Sequence, residues 1–303
     1  MKNNLCSWQN VPRHIYMKGE NGQGIFYNTE DCLFFLTLFS VLVRRYSVRT
    51  LGFCIMFNHV HALLRFPDKE TQVSFLTRLT QSFVHGYNVE YGRTGALFLH
   101  SYGHAPKETA KTVRSCIAYI GNNPVAGRLT RRAQDYRWNL CAYAESTYPF
   151  SASVSMKTAA NPLRRAFRYV DTLYKMGQPL SYGAQRIIFN KLSTDGRKSI
   201  IDRIVTRYNF LDYSAWERLF GSKSKALFAM EANTGTEYDL PEDWEDYSMY
   251  RRMLQIAREY QLLSAGHGVD SLTDNEKVKL WKLISNHLTP KERQIRKFLH
   301  LFD

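Results

Sequence analysis

The chain reads as an α+β protein, an antiparallel sheet with flanking helices followed by an all-α C-terminal part. Three observations predict this. Short strand-like runs alternate with runs of helical period over residues 1–148. A Ser-, Ala-, Thr- and Pro-rich stretch, TYPFSASVSMKTAANP (147–162), then interrupts the pattern. Beyond it only helical signals occur.

Residues 14–18 (HIYMK) form a short strand, and GENGQG (19–24) supplies a turn. Asn28 and Thr29 are capping residues for a helix over about 30–46, apolar round most of its surface. VRTLGFCIMF (48–57) and HVHALLRF (59–66) are two strands joined at Asn58 by a bulge or a tight turn. Phe75, Leu76, Leu79, Phe83 and Tyr87 recur at helical spacing within 73–91, and GRTG closes that helix. ALFLHSY (96–102) gives a fourth strand. A helix over about 107–122 stops ahead of Pro124, because the residue before a proline resists the α conformation. The order β-α-β-β-α-β-α suits a sheet of the ferredoxin-like type.

Residues 149–163 then act as a linker, and 164–303 as a helical accessory domain. Thr273 with Glu276, and Thr289 with Pro290 and Glu292, are two helix starts of the capping-box type. The acidic EYDLPEDWEDY (237–247) opens another helix. These helices suit either a DNA-reading helix pair or a brace for the first domain or a dimer.

Composition narrows the partners. With 41 Lys and Arg against 27 Asp and Glu, the net charge is +14, and both halves of the chain share the excess. Nucleic acid and anionic surfaces are the favoured partner classes. The five cysteines are scattered, without a C-x-x-C pair, which speaks against a disulfide framework or zinc knuckle and for a reducing, cytoplasmic setting. The longest apolar run, LFFLTLFSVLV (33–43), is too short to span a bilayer and is followed by Arg44 and Arg45, so no membrane role is expected. No signal-peptide pattern opens the sequence.

One stretch asks for chemistry. In FNHVHALL (57–64), His59 and His61 lie on the same strand face, with Val60 and Ala62 on the other. Two ordinary half-buried histidines would satisfy that spacing too. In IAYIGNNPVAGRL (117–129), Tyr119 and Asn123 are four apart and share a helix face. Two imidazoles and an amide oxygen leave positions open on a divalent cation for water or phosphate oxygens. A tyrosine beside that site is a nucleophile for phosphoryl transfer.

Together these segments resemble the single-tyrosine HUH transposases, and within them the REP-associated tyrosine transposases of bacteria. FNHVHALL is similar to the family's histidine motif, with Val60 in the bulky apolar place, and YIGNNPVAGRL to its tyrosine helix. GQGIF (22–26), YNVEYGRTGALF (87–98) and DYRWNL (135–140) follow in family order, so the likeness covers about residues 11–145. It implies the HUH nuclease fold over 1–148, with Mg²⁺ or Mn²⁺ on His59, His61 and Asn123. Some relatives carry glutamine at the position of Asn123. The implied reaction is metal-dependent cleavage and rejoining of single-stranded DNA at hairpin sites through a 5′-phosphotyrosine on Tyr119, by a homodimer. Arg13, Lys18, Arg93, Arg128, Arg131 and Arg132 are candidate DNA contacts, and Tyr87, with Tyr91 and Tyr102, a candidate base-stacking surface. The alternative is a domesticated hairpin-binding or regulatory protein without cleavage activity.

Overall fold

A computed structural model describes residues 11–99, 102–232, 247–263 and 268–301. The acidic stretch at 237–247 falls almost wholly outside them. Among the described residues the chain is mixed α/β, with a four-stranded sheet in the order β2-β3-β1-β4. The strands are β1 (Arg13–Lys18), β2 (Arg49–Ile55), β3 (His59–Arg65) and β4 (Gly103–Pro106), and every pairing is antiparallel.

Side-chain parity splits the sheet into two faces. Ile15, Met17, Phe53, Val60, Ala62 and Leu64 share one of them, as their register shows. Two helices cover it. The first, α1 (Thr29–Arg45), starts in a capping box between Asn28 and Asp31, and its Phe39 ring lies 4.9 Å from Phe53. The second, α2 (Lys69–Tyr91), is capped by the Asp68 carboxylate and ends at Gly92 in the left-handed region (φ 62°), which glycine adopts without strain. The other face carries His14, Tyr16, Lys18, His59, His61 and Leu63. Across it runs α3 (Ala110–Ala126), with Ile120 resting over Gly52 and Leu63.

The remaining helices pack against the sheet-bearing part at several places. Residues 149–160, inside the expected linker, carry no helix or strand. Beyond them, α4 (Asn161–Lys175), α5 (Tyr182–Phe189) and α6 (Thr194–Arg207) pack on the outer side of α1. The Tyr182 hydroxyl donates to Asp31 at 2.8 Å, and the Leu180 N–H to Thr37 Oγ1 at 3.0 Å. This cover explains why α1 is apolar nearly all round. Next, α7 (Tyr213–Phe220) and α8 (Lys223–Glu231) brace β2 and α3, with Trp216 Nε1 donating to Leu51 O at 2.7 Å and Met230 lying against Gly121. Finally α9 (Tyr247–Glu259), α10 (Asp274–His287) and α11 (Glu292–Leu299) close over the turn after β1. There the Tyr27 hydroxyl donates to Phe298 O at 3.0 Å, and the His300 ring bonds the Asp270 carboxylate at 2.7 Å. Leu33, Phe53, Phe167, Trp216 and Phe298 thus belong to one continuous hydrophobic cluster.

Three local expectations need correction. The fourth strand is Gly103–Pro106, not 96–102. Leu97 and Phe98 are buried by packing, and only a bridge from Phe98 to Gly19 is strand-like. The helix bearing Tyr119 runs through Pro124 to Ala126, since a proline in the last turn removes only the hydrogen bond that Ile120 O would have received. The last helix begins at Glu292 with Lys291 as its cap residue, so Thr289 is not its cap. The expected start at Thr273 with Glu276 is present as a capping box.

Candidate active site

The site is assembled by β1, β3 and α3 on the second sheet face. His59 is half-buried, and His61 buried, with ring centroids 4.7 Å apart. Cross-strand pairing sets Lys18 opposite His59 and Tyr16 opposite His61. The Tyr16 ring lies over Gly103, where a Cβ would come within 1.7 Å of it, so only glycine fits that place on β4.

A third imidazole completes the row. His14 on β1 is fully buried, and its Nε2 lies 3.0 Å from His61 Nδ1, so one ring donates to the other. Tyr119 reaches the same place from α3. Its ring stands edge-to-face with both, 5.5 Å from His61 and 5.9 Å from His14 between centroids. The helical tyrosine and the strand histidines therefore lie on one side of the sheet. One turn on, buried Asn123 donates its Nδ2 to Tyr119 O at 3.3 Å, which makes Oδ1 the acceptor end of that amide.

The hydrogen-bond pattern sets the tautomers. Asn58 Nδ2 donates to Gly22 O at 3.0 Å, which turns its Oδ1 toward His59 Nδ1 at 2.8 Å. His59 therefore donates its Nδ1–H to that oxygen. The Tyr247 hydroxyl, from α9, lies 3.4 Å from the same Nδ1. When His61 donates Nδ1–H to His14, its Nε2 carries a lone pair. Burial first, then His59 and His14, hold the His61 imidazole well below its ordinary pKa, so it stays neutral.

A neutral histidine whose second nitrogen is tied to another ring, as that of His61 is, suits a divalent metal. Among the described residues no three His, Cys, Asp or Glu side chains converge as a metal cage. Beside His59 and His61, the amide oxygen of Asn123 is of the right chemistry for a further metal ligand.

The expected DNA contacts divide. Lys18 stands beside His59. Arg128 and Arg131 are exposed just past α3, and Arg132 is exposed but paired with Asp135 at 2.8 Å. Arg13 is buried on the opposite sheet face, where desolvation lowers its pKa. Tyr87 is fully buried and donates to Asp270 at 3.2 Å, so neither ring face is open to a base. Arg93 is held by Asn88 Oδ1, Ala96 O and Asp270. Tyr91 likewise is buried and bonded to Asp31, whereas Tyr102 is half-buried. Tyr87, Tyr91 and Arg93 are thus parts of the framework that seats α2 and the chain's C-terminal end.

Sequence reasoning passed over His14 and Tyr247. The first had a signal, since an imidazole on the polar face of a strand that neighbours β3 must adjoin the H-x-H row. The second had none, because Tyr247 arrives from 188 residues away.

The fold and the site define a mixed α/β chain whose antiparallel sheet carries a histidine row faced by a helical tyrosine. No family model matches this chain, and no curated protein matches it. Among solved structures it is similar to a REP-associated tyrosine transposase bound to a REP hairpin, with 12% identity and a TM-score of 0.40 over 45% of this chain and 79% of that one. At such values the functional reading rests on the side chains of the site. Among the described residues no helix is long and apolar enough to cross a membrane.

Proposed function

We propose that the chain is a metal-dependent single-stranded DNA endonuclease and strand-transferase of the single-tyrosine HUH type. The observation that carries this reading is the packing of Tyr119 against His61, two residues of the resembling motifs that meet across the sheet face beside His59. The β-α-β-β-α-β order and the strand order fit the ferredoxin-like arrangement of that fold. The basic charge suits a phosphate-bearing substrate.

In this reading His59, His61 and Asn123 hold Mg²⁺ or Mn²⁺, which when bound polarises the scissile phosphate. His14 holds the His61 ring through their hydrogen bond and leaves its Nε2 lone pair for the ligand role. Asn58 holds the His59 ring through its own hydrogen bond. Tyr119 Oη attacks the phosphorus, the O–P bond to tyrosine forms, and the bond to the 3′ oxygen breaks. The phenolic proton is released, and the departing 3′ oxygen gains one. One phosphodiester replaces another, so the bond energy is kept for rejoining. Lys18, beside His59, faces the developing charge.

The test is incubation with hairpin-bearing single-stranded DNA and Mn²⁺, followed by denaturing electrophoresis. Wild-type protein gives a covalent adduct that Tyr119→Phe and a chelator both abolish. Hairpin binding that is indifferent to Tyr119 and to metal, with no adduct from the wild type, would instead identify a binding or regulatory protein. Homodimerisation belongs to the same proposal and is read by light scattering.

A further inference from the structure

The row of β3 side chains on the α3 face continues past the histidines. His59, His61, Leu63 and Arg65 follow one another at period two, and Arg65 stands directly opposite Arg49 of β2. Like charges facing each other across an antiparallel pair repel. Here the crowding is greater still, because Arg218 of α7 and the buried Lys107 line the same pocket, of about 470 Å³.

Among the described residues, two carboxylates stand beside these cations. Asp212 pairs with Arg49 and, at 3.5 Å, with Arg218, and Glu108 lines the wall. Arg65 is half-buried, and its Nε is buried without a hydrogen-bond partner among the described residues. Desolvation first, then Arg49, opposed by Asp212 and reinforced by Arg218, lowers its pKa. A buried donor on a crowded cation is costly unless an anion meets it. The N-terminus of α3 opens into the same space, with Thr109 as its cap and Ala110 in the lining. Its first-turn N–H groups and the helix dipole favour negative charge there.

We propose that this pocket is a phosphate site that holds a backbone phosphate of the nucleic-acid strand at a fixed distance from Tyr119. From His61 to Arg65 is four strand residues, about 13 Å at 3.3 Å each. From Ala110 to Tyr119 is nine helical residues, again about 13 Å. The two routes agree because α3 lies along β3. A strand laid along this path therefore reaches Tyr119 a few nucleotides from the phosphate held in the pocket. The site thereby sets which phosphate meets the tyrosine. This inference rests on the reading of the chain as one that acts on a DNA strand.

Anisotropy of a labelled single-stranded oligonucleotide across a salt series, without divalent metal so that nothing is cut, tests it. Arg65→Gln and Arg218→Gln should each weaken binding by about threefold to tenfold. The magnitude of the log–log salt slope should fall by about 0.7, the share of one single-strand phosphate. Arg218 is exposed, so its variant keeps the test valid should Arg65→Gln fail to fold. Unchanged affinity and slope in folded variants overturn the proposal. Inorganic phosphate followed by ³¹P NMR forms the second arm. Phosphate binding that Arg65→Gln abolishes, with oligonucleotide binding unaffected, would assign the pocket to free phosphate and overturn the strand assignment. Because binding is read without cleavage, absence of an adduct refutes the nuclease reading alone, and an adduct with no change in slope refutes this one alone.

Discussion

Replacing His14 with phenylalanine removes its hydrogen bond to His61 from the site. The phenyl ring occupies nearly the same volume in the same fully buried place, so packing changes little. With the imidazole goes the 3.0 Å bond to His61 Nδ1, at a fully buried position. A buried polar group stripped of its partner costs about 1–3 kcal/mol. If that cost falls on the ligand geometry of His61, the affinity for Mn²⁺ drops by about 5- to 150-fold at 1.4 kcal/mol per decade. Loss of an outer partner of a metal-bound histidine costs about 10- to 100-fold, which lies within that range. Calorimetric titration with Mn²⁺ measures the loss, and the rate of adduct formation should fall with it. His14→Gln, whose amide can still meet Nδ1, should recover much of the affinity. Wild-type Mn²⁺ affinity in a well-folded His14→Phe protein would refute the argument that His14 positions His61.

Two further outcomes follow from the packing. Trp216→Ala removes a fully buried indole and leaves Leu51 O without its donor, so it should cost about 3–5 kcal/mol; chemical denaturation should show the whole chain losing stability in one transition, not α7 alone. Burial raises the Asp270 pKa, but the His300 bond and charge, Arg93 and the Tyr87 hydroxyl outweigh it and hold the carboxyl below its usual range. A depressed carboxylate pKa stabilises the fold above its unfolded value and loses that contribution as pH falls through the folded one. The gap in melting temperature between wild type and Asp270→Asn should therefore be widest near pH 7 and narrow below about pH 4.

Those elements that announce their own period were legible before any coordinates. The strands HIYMK and HVHALLRF and the helices around Phe35 and Phe83 stand within a few residues of their expected places. Where apolar burial and hydrogen-bonded strand part company, the reading slipped: Leu97 and Phe98 are buried in a loop, while the strand is the inconspicuous GHAP. Pro124 misled for a related reason, since a proline is tolerated where the helix has few hydrogen bonds left to lose. The histidines and tyrosine were visible as motifs, but their meeting was a matter of register, and His14 entered only once β1 was seen to pair with β3. Tyr87 shows the converse. Its helical spacing and aromatic character fit a stacking platform and a core equally well, and burial decides for the core. No local pattern tells that Tyr182 bonds Asp31 or that Phe298 packs on Phe57, because these contacts join residues far apart in the sequence.

Tyr247 standing next to His59 has a bearing on biosynthesis. A ribosome adding about 5–20 residues per second needs roughly 10–40 s to travel the 188 positions between them. During that interval the emerging sheet lacks one wall of its pocket and the helices that seal the turn after β1. A nascent chain thus cannot possess the finished centre until Tyr247 and the helices after it have emerged, so the histidine row and Tyr119 stand for that interval without the wall that α9 supplies.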